Sequence, residues 1–194
     1  MPPLPFLVFH LATVLILGFQ QPSSQGGIKF LTEDTHAEAV ACGRAGAGCA
    51  VEPYLLCPAE NEHYSAWIAS PFSRVASSVY EAVRRRQRVR PMEEIGANGW
   101  GVGIYVSPAQ NYDKAASIER LSIRREGRTI EPLTSTFAPV PLRDASGATK
   151  QVAKGFFAFP MEIFSPAADI TIVFVGPFGE ATCTLDRRKL SSLR

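Results

Sequence analysis

The sequence predicts a mainly β fold, an antiparallel β-sandwich with one amphipathic helix packed against it. Two observations carry that prediction. From residue 100 onward, apolar residues recur at every second position in short runs separated by glycine and proline turns. Ahead of those runs, residues 71–89 repeat their apolar positions every three or four residues. A third observation, an apolar leader followed by four cysteines, sets the expected compartment. The 194 residues are 46% hydrophobic and 20% charged, a balance that excludes a disordered tail and a multi-span membrane protein.

The leader comes first. Leu4 to Phe19 is apolar apart from His10 and Thr13, and the small, polar stretch Gln20 to Gly27 follows. Sixteen helical residues rise about 24 Å, short of a ~30 Å hydrocarbon core, so residues 1–25 are expected to be a cleaved signal peptide. The cut is expected around Ser23 to Gly26, leaving roughly 165 residues in a secreted, periplasmic or extracellular space without a further membrane span. The alternative is an uncleaved N-terminal anchor, because Met1-Pro2-Pro3 carries no Lys or Arg and no A-x-A site is present. Residues 1–28 contain no Asp, Glu, Lys or Arg, so the net charge of +2, counted with His neutral, belongs to the rest. So near-neutral a chain has no global field for nucleic acid, and no nucleic-acid partner is expected.

Cys42, Cys49, Cys57 and Cys183 are even in number and lie outside the leader, which favours disulfides over free thiols. Their spacing lacks the C-x₂₋₄-C knuckle of a zinc site. The expected pairing joins Cys42 to Cys49 across the glycine-rich CGRAGAGC loop and Cys57 to Cys183. Residues 26–70 then form a disulfide-stapled, irregular N-terminal segment, and residues 71–194 the helix and sandwich, in one globular domain. Within the first segment a short helix is expected from His36 to Cys42. Thr35 and Glu38 have capping-box spacing, and Gly43 stands where a terminating glycine belongs. Residues 43–70 show no sustained period and are read as loops and turns.

The main helix is announced by Ser70 as N-cap and Pro71 at its first position, and ended by Pro91. Phe72, Val75, Ala76, Val79, Tyr80 and Val83 line one face, expected to cover the strands downstream. Trp100, Val102, Ile104 and Val106 alternate with smaller or polar residues as the first of those strands. Leu121 and Ile123 lead into Arg125-Glu126-Gly127-Arg128, a hairpin turn returning through Thr129 to Leu133. Thr134 to Val140 is a strand that Pro139 and Pro141 either confine to an edge or end. Lys154 to Phe159 and Met161 to Phe164 are read as strands broken by Pro160. Asp169 to Val175 is the candidate for the most buried strand. Gly176 to Gly179 turns the chain into Glu180 to Asp186, with Ala181, Cys183 and Leu185 on one side. Asp186 caps a last helical turn over Arg187 to Leu193. Five to seven strands of this kind suggest a sandwich or partial barrel, of which an immunoglobulin-like arrangement is one instance, although the Cys…Trp…Cys spacing of true immunoglobulin domains is missing.

Four groups are candidate sites. Arg84, Arg85, Arg86, Arg88 and Arg90 form a candidate anion patch for phosphates, lipid headgroups or an acidic polymer, and equally suit the cationic end of a surface helix. Glu60, Glu62 and His63 combine carboxylates with an imidazole, so they are weak metal or acid–base candidates; an ordinary surface histidine fits as well, without H-E-x-x-H spacing. Gly96 to Gly103 has the glycines of a phosphate loop but the wrong order of flanking elements, and is read as a turn entering a strand. Adjacent Phe156 and Phe157 face opposite sides of a strand, so one lies under the helix or marks a contact surface.

These features lead to three functional expectations. The first is an exported, non-enzymatic accessory or interaction module of an envelope or extracellular assembly, with an unidentified protein or extracellular polymer as partner and no cofactor. The second is a small secreted hydrolase or metal-dependent enzyme using His63 with Glu60 or Glu62. The third is an arginine-patch binder of anionic polymers.

Overall fold

The computed structural model describes residues 27–56, 63–90, 101–109 and 111–194. The leader, Cys57, Glu60, Glu62 and Trp100 therefore lie outside the described residues. The fold is mainly β, with two antiparallel sheets of five and four strands facing each other. The larger has the order β1 (Leu55–Leu56), β2 (Tyr64–Ala69), β3 (Val102–Pro108), β7 (Thr149–Phe159), β6 (Thr134–Arg143). The smaller has the order β5 (Arg128–Ile130), β4 (Arg120–Arg125), β8 (Ile170–Gly176), β9 (Gly179–Leu185).

The alternation read from sequence fills the space between the sheets. Ala66, Ile68, Ile104, Val106 and Phe157 from one sheet, and Leu121, Ile123, Ile172, Phe174 and Cys183 from the other, are buried in one core. Tyr64 ties the layers with a hydrogen bond from its hydroxyl to the Ser117 carbonyl at 3.1 Å. The β4–β5 turn has Glu126 and Gly127 both at positive φ, 50° and 75°, as a tight two-residue hairpin requires. β6 runs through Pro139 and Pro141, and its place at the sheet edge lets both prolines stand without an N–H to give to a neighbour. β8 lies inside the smaller sheet, with five of its seven residues buried.

Helix α3 (Pro71–Arg84) begins as the sequence requires, the Ser70 hydroxyl accepting from the Ser73 amide at 3.1 Å. It stops at Arg84, five residues before the expected end, where Arg86 takes a positive φ of 54°. Its apolar stripe does not chiefly cover a strand. It packs on helix α1 (Glu33–Ala45), while Val83 stays exposed.

Helix α1 is longer than His36 to Cys42, and its cap is Thr32, which exchanges hydrogen bonds with Thr35; Glu38 instead pairs with Arg194. Gly43 does not end the helix. It lies buried at the α1–α3 crossing, where a Cβ would meet the Ala76 carbonyl oxygen at 2.4 Å.

The Cys42–Cys49 disulfide forms as expected, but CGRAGAGC is no open loop. It is the end of α1, a turn at Gly46 (φ 117°), and the short helix α2 (Ala47–Ala50). Cys183 is also disulfide-bonded. Residues 43–70 are correspondingly more regular than expected, with α2, a 3-10 turn at Glu52–Tyr54, and strands β1 and β2. Met161–Phe164 is a 3-10 turn and not a strand, because Pro160 ends pairing and Phe164 drops edge-on toward Phe159 in the core. A final helix α4 (Arg187–Ser192) is capped by the Asp186 carboxylate, which accepts from the Lys189 amide at 2.7 Å.

Candidate ligand groove

Antiparallel pairing places Trp67 of β2 beside Tyr105 of β3, and Tyr105 beside Phe156 of β7. Because alternate side chains of a strand face opposite ways, all three point away from the sandwich core. Their rings form one row, with centroids 5.0 Å apart between Trp67 and Tyr105 and 4.6 Å between Tyr105 and Phe156. Tyr105 is 41% exposed, and Trp67 and Phe156 are half-buried. Contacts of this kind stabilise a pair by roughly 0.5–1.5 kcal/mol beyond area burial. The row is therefore a stable surface feature and not a loose patch.

The polar side of α3 rises beside this row. Arg74, Ser77, Ser78, Glu81 and Arg85, with Gln87, Arg88 and Arg90 just beyond the helix, complete a groove of about 760 Å³. Arg74 donates to the Gly101 carbonyl at 3.4 Å. Burial pushes the Arg74 guanidinium down from its ordinary value while the neighbouring Tyr105 opposes that shift, and a guanidinium so placed is still cationic at neutral pH. Glu81 takes ion pairs from Arg84 at 2.8 Å and Arg85 at 3.0 Å. The hydrogen bond from Arg84 holds the Glu81 carboxyl below the usual carboxylate range. Among the described residues, Arg88 and Arg90 have no carboxylate within ion-pair distance.

The structure thus divides the five-arginine cluster. Arg85, Arg88 and Arg90 line the groove, Arg84 is held by Glu81, and Arg86 occupies the turn after α3. It divides the phenylalanines as well. Phe157 enters the core and Phe156 faces the groove.

His63 lies elsewhere. Its ring stacks on Phe178 at 4.5 Å, and its Nδ1 donates to the Lys114 carbonyl at 2.9 Å, so packing and hydrogen bonding account for its position. Among the described residues no group of three His, Cys, Asp or Glu side chains is placed to hold a metal ion. No helix among them is long and apolar enough to cross a membrane.

Sequence reasoning missed Trp67, Tyr105 and Arg74 as site residues. The available signal was phase, since in Tyr64 to Ala69 and Val102 to Pro108 a large aromatic interrupts the smaller or polar positions facing outward. No family model, curated protein or solved structure matches the chain.

Proposed function

We propose that this protein is an exported, non-catalytic binding module that holds its ligand on the outer face of the five-stranded sheet. The observation that carries this reading is the Trp67, Tyr105 and Phe156 row, which leaves aromatic surface open to solvent beside a wall of arginine and hydroxyl side chains. Large aromatic groups beside arginine are the composition of recognition surfaces, because they combine contact area with oriented donors. The Cys42–Cys49 disulfide supports an oxidising compartment, as does the bonded state of Cys183. The leader pattern supports export by the same route.

Two measurements test the reading. Intact mass of the native product, with and without reduction before alkylation, is expected to show loss of the leader and thiols that react only after reduction. A full-length product with four freely alkylated cysteines would remove the export reading. Replacement of His63 by Ala is expected to leave ligand binding unchanged, since His63 lies outside the groove. An activity abolished by that change would favour the hydrolase instead.

A further inference from the structure

We infer that the occupant of the groove is a carboxylated oligosaccharide, a uronate-bearing stretch of an extracellular polysaccharide. The inference rests on the binding-module reading and names its ligand. A pyranose ring has an apolar C–H face and a rim of hydroxyls, and a uronate adds one carboxylate per acidic sugar. The groove carries a counterpart to each. Trp67, Tyr105 and Phe156 offer aromatic surface, Ser77 and Ser78 offer hydroxyls, and Arg88 and Arg90 offer guanidinium forks that match a carboxylate in two parallel hydrogen bonds.

Charge decides against a nucleic acid, whose flat bases would also suit the aromatic row. A nucleic acid brings a phosphate at every unit and calls for a broad basic field, whereas this chain has a net charge of only +2. Glu81 stands in the same groove and would repel so dense a charge. A sparsely carboxylated chain leaves room for Glu81 to accept from sugar hydroxyls while Arg88 and Arg90 take the acid groups. Arg85 is already engaged by Glu81 and contributes less.

The test uses the full chain purified from its native compartment and titrated with partly methyl-esterified oligogalacturonate, whose free carboxylates are sparse, fully carboxylated alginate oligosaccharide, neutral cello-oligosaccharide, heparin and an oligodeoxynucleotide. Binding is read by calorimetry. The partly esterified oligogalacturonate is expected to bind, more tightly than the fully carboxylated alginate, and Arg88→Gln with Arg90→Gln to weaken that binding at least tenfold. Trp67→Ala with Tyr105→Ala is expected to abolish binding with an unchanged circular dichroism spectrum. Arg128→Gln, which removes one exposed charge on the other sheet, is the control and is expected to change nothing. Tighter binding of a densely charged chain (the oligodeoxynucleotide, heparin or alginate) than of the partly esterified oligogalacturonate overturns the inference, as does binding of that oligogalacturonate that survives both double variants. If no polymer binds while the native product is cleaved and disulfide-bonded, the uronate assignment fails and the module reading stands. If that product keeps its leader and free thiols, both fall.

Discussion

Phe156 lies so close against Gly103 that a Cβ on the glycine would stand 2.2 Å from the ring Cε2 and 2.7 Å from Cζ. The absence of a side chain at Gly103 is what lets the ring settle on the sheet next to Tyr105. Gly103→Ala must therefore lift the ring out of the row. The expected cost is about 1–3 kcal/mol, the usual range for overpacking, with weakened ligand binding in the same variant. Urea denaturation and the calorimetric titration check it together. Unchanged stability and unchanged affinity would show that Phe156 has another place to go.

The α1–α3 crossing depends on Gly43 in the same way, but against backbone. A Cβ there would meet the Ala76 carbonyl oxygen at 2.4 Å and the Val79 Cβ at 2.6 Å. Gly43→Val is expected to force the helices apart and to destabilise by about 3 kcal/mol or slightly more, since backbone yields less readily than a side-chain tip. Gly48→Ala is the comparison, because the nearest atom to its Cβ is 3.8 Å away. That change is expected to be neutral or to stabilise by up to about 1 kcal/mol through helix propensity. Thermal melts of the two variants should separate them clearly.

Breaking the cystine between Cys42 and Cys49 frees a short loop, seven residues in sequence separation. Loop-closure entropy predicts that Cys42→Ala with Cys49→Ala lowers stability by about 2–2.5 kcal/mol. The measurement is the denaturation midpoint of the double variant against wild type without reductant. A difference below ~0.5 kcal/mol would mean that α2 stays docked without the bond.

Tyr54 is buried, and desolvation pushes its phenol up to about 12, with smaller opposing effects from Arg194. The folded state therefore holds that proton more tightly than the unfolded chain, whose phenol titrates near 10. The stabilisation is complete below about pH 10 and is lost as pH rises from there to about 12, in total on the order of 2–3 kcal/mol. Tyr54→Phe is expected to remove that alkaline decline while other alkaline effects stay common to both proteins. Parallel stability curves for wild type and variant between about pH 9 and 12 would contradict the assignment.

Local signals were legible in the sequence. Ser70-Pro71 started α3, Asp186 capped α4, Glu126-Gly127 made the β4–β5 hairpin, and the prolines of β6 sent it to an edge. Each acts through its own backbone or that of a residue a few positions away, so neighbours in sequence suffice to state it. The Cys42–Cys49 pairing belongs with them, since its partners are only seven residues apart in sequence.

Tertiary structure decided the rest. Tyr64 to Ala69 is too short a run to declare itself, and became an interior strand only by pairing with β3. Gly43 reads as a helix terminator until α3 is laid across it. The groove was hidden most completely. Trp67, Tyr105 and Phe156 are 38 and 51 residues apart along the chain. They become neighbours through the register of two strand pairings, and register is fixed by hydrogen bonds between distant segments that no local pattern encodes.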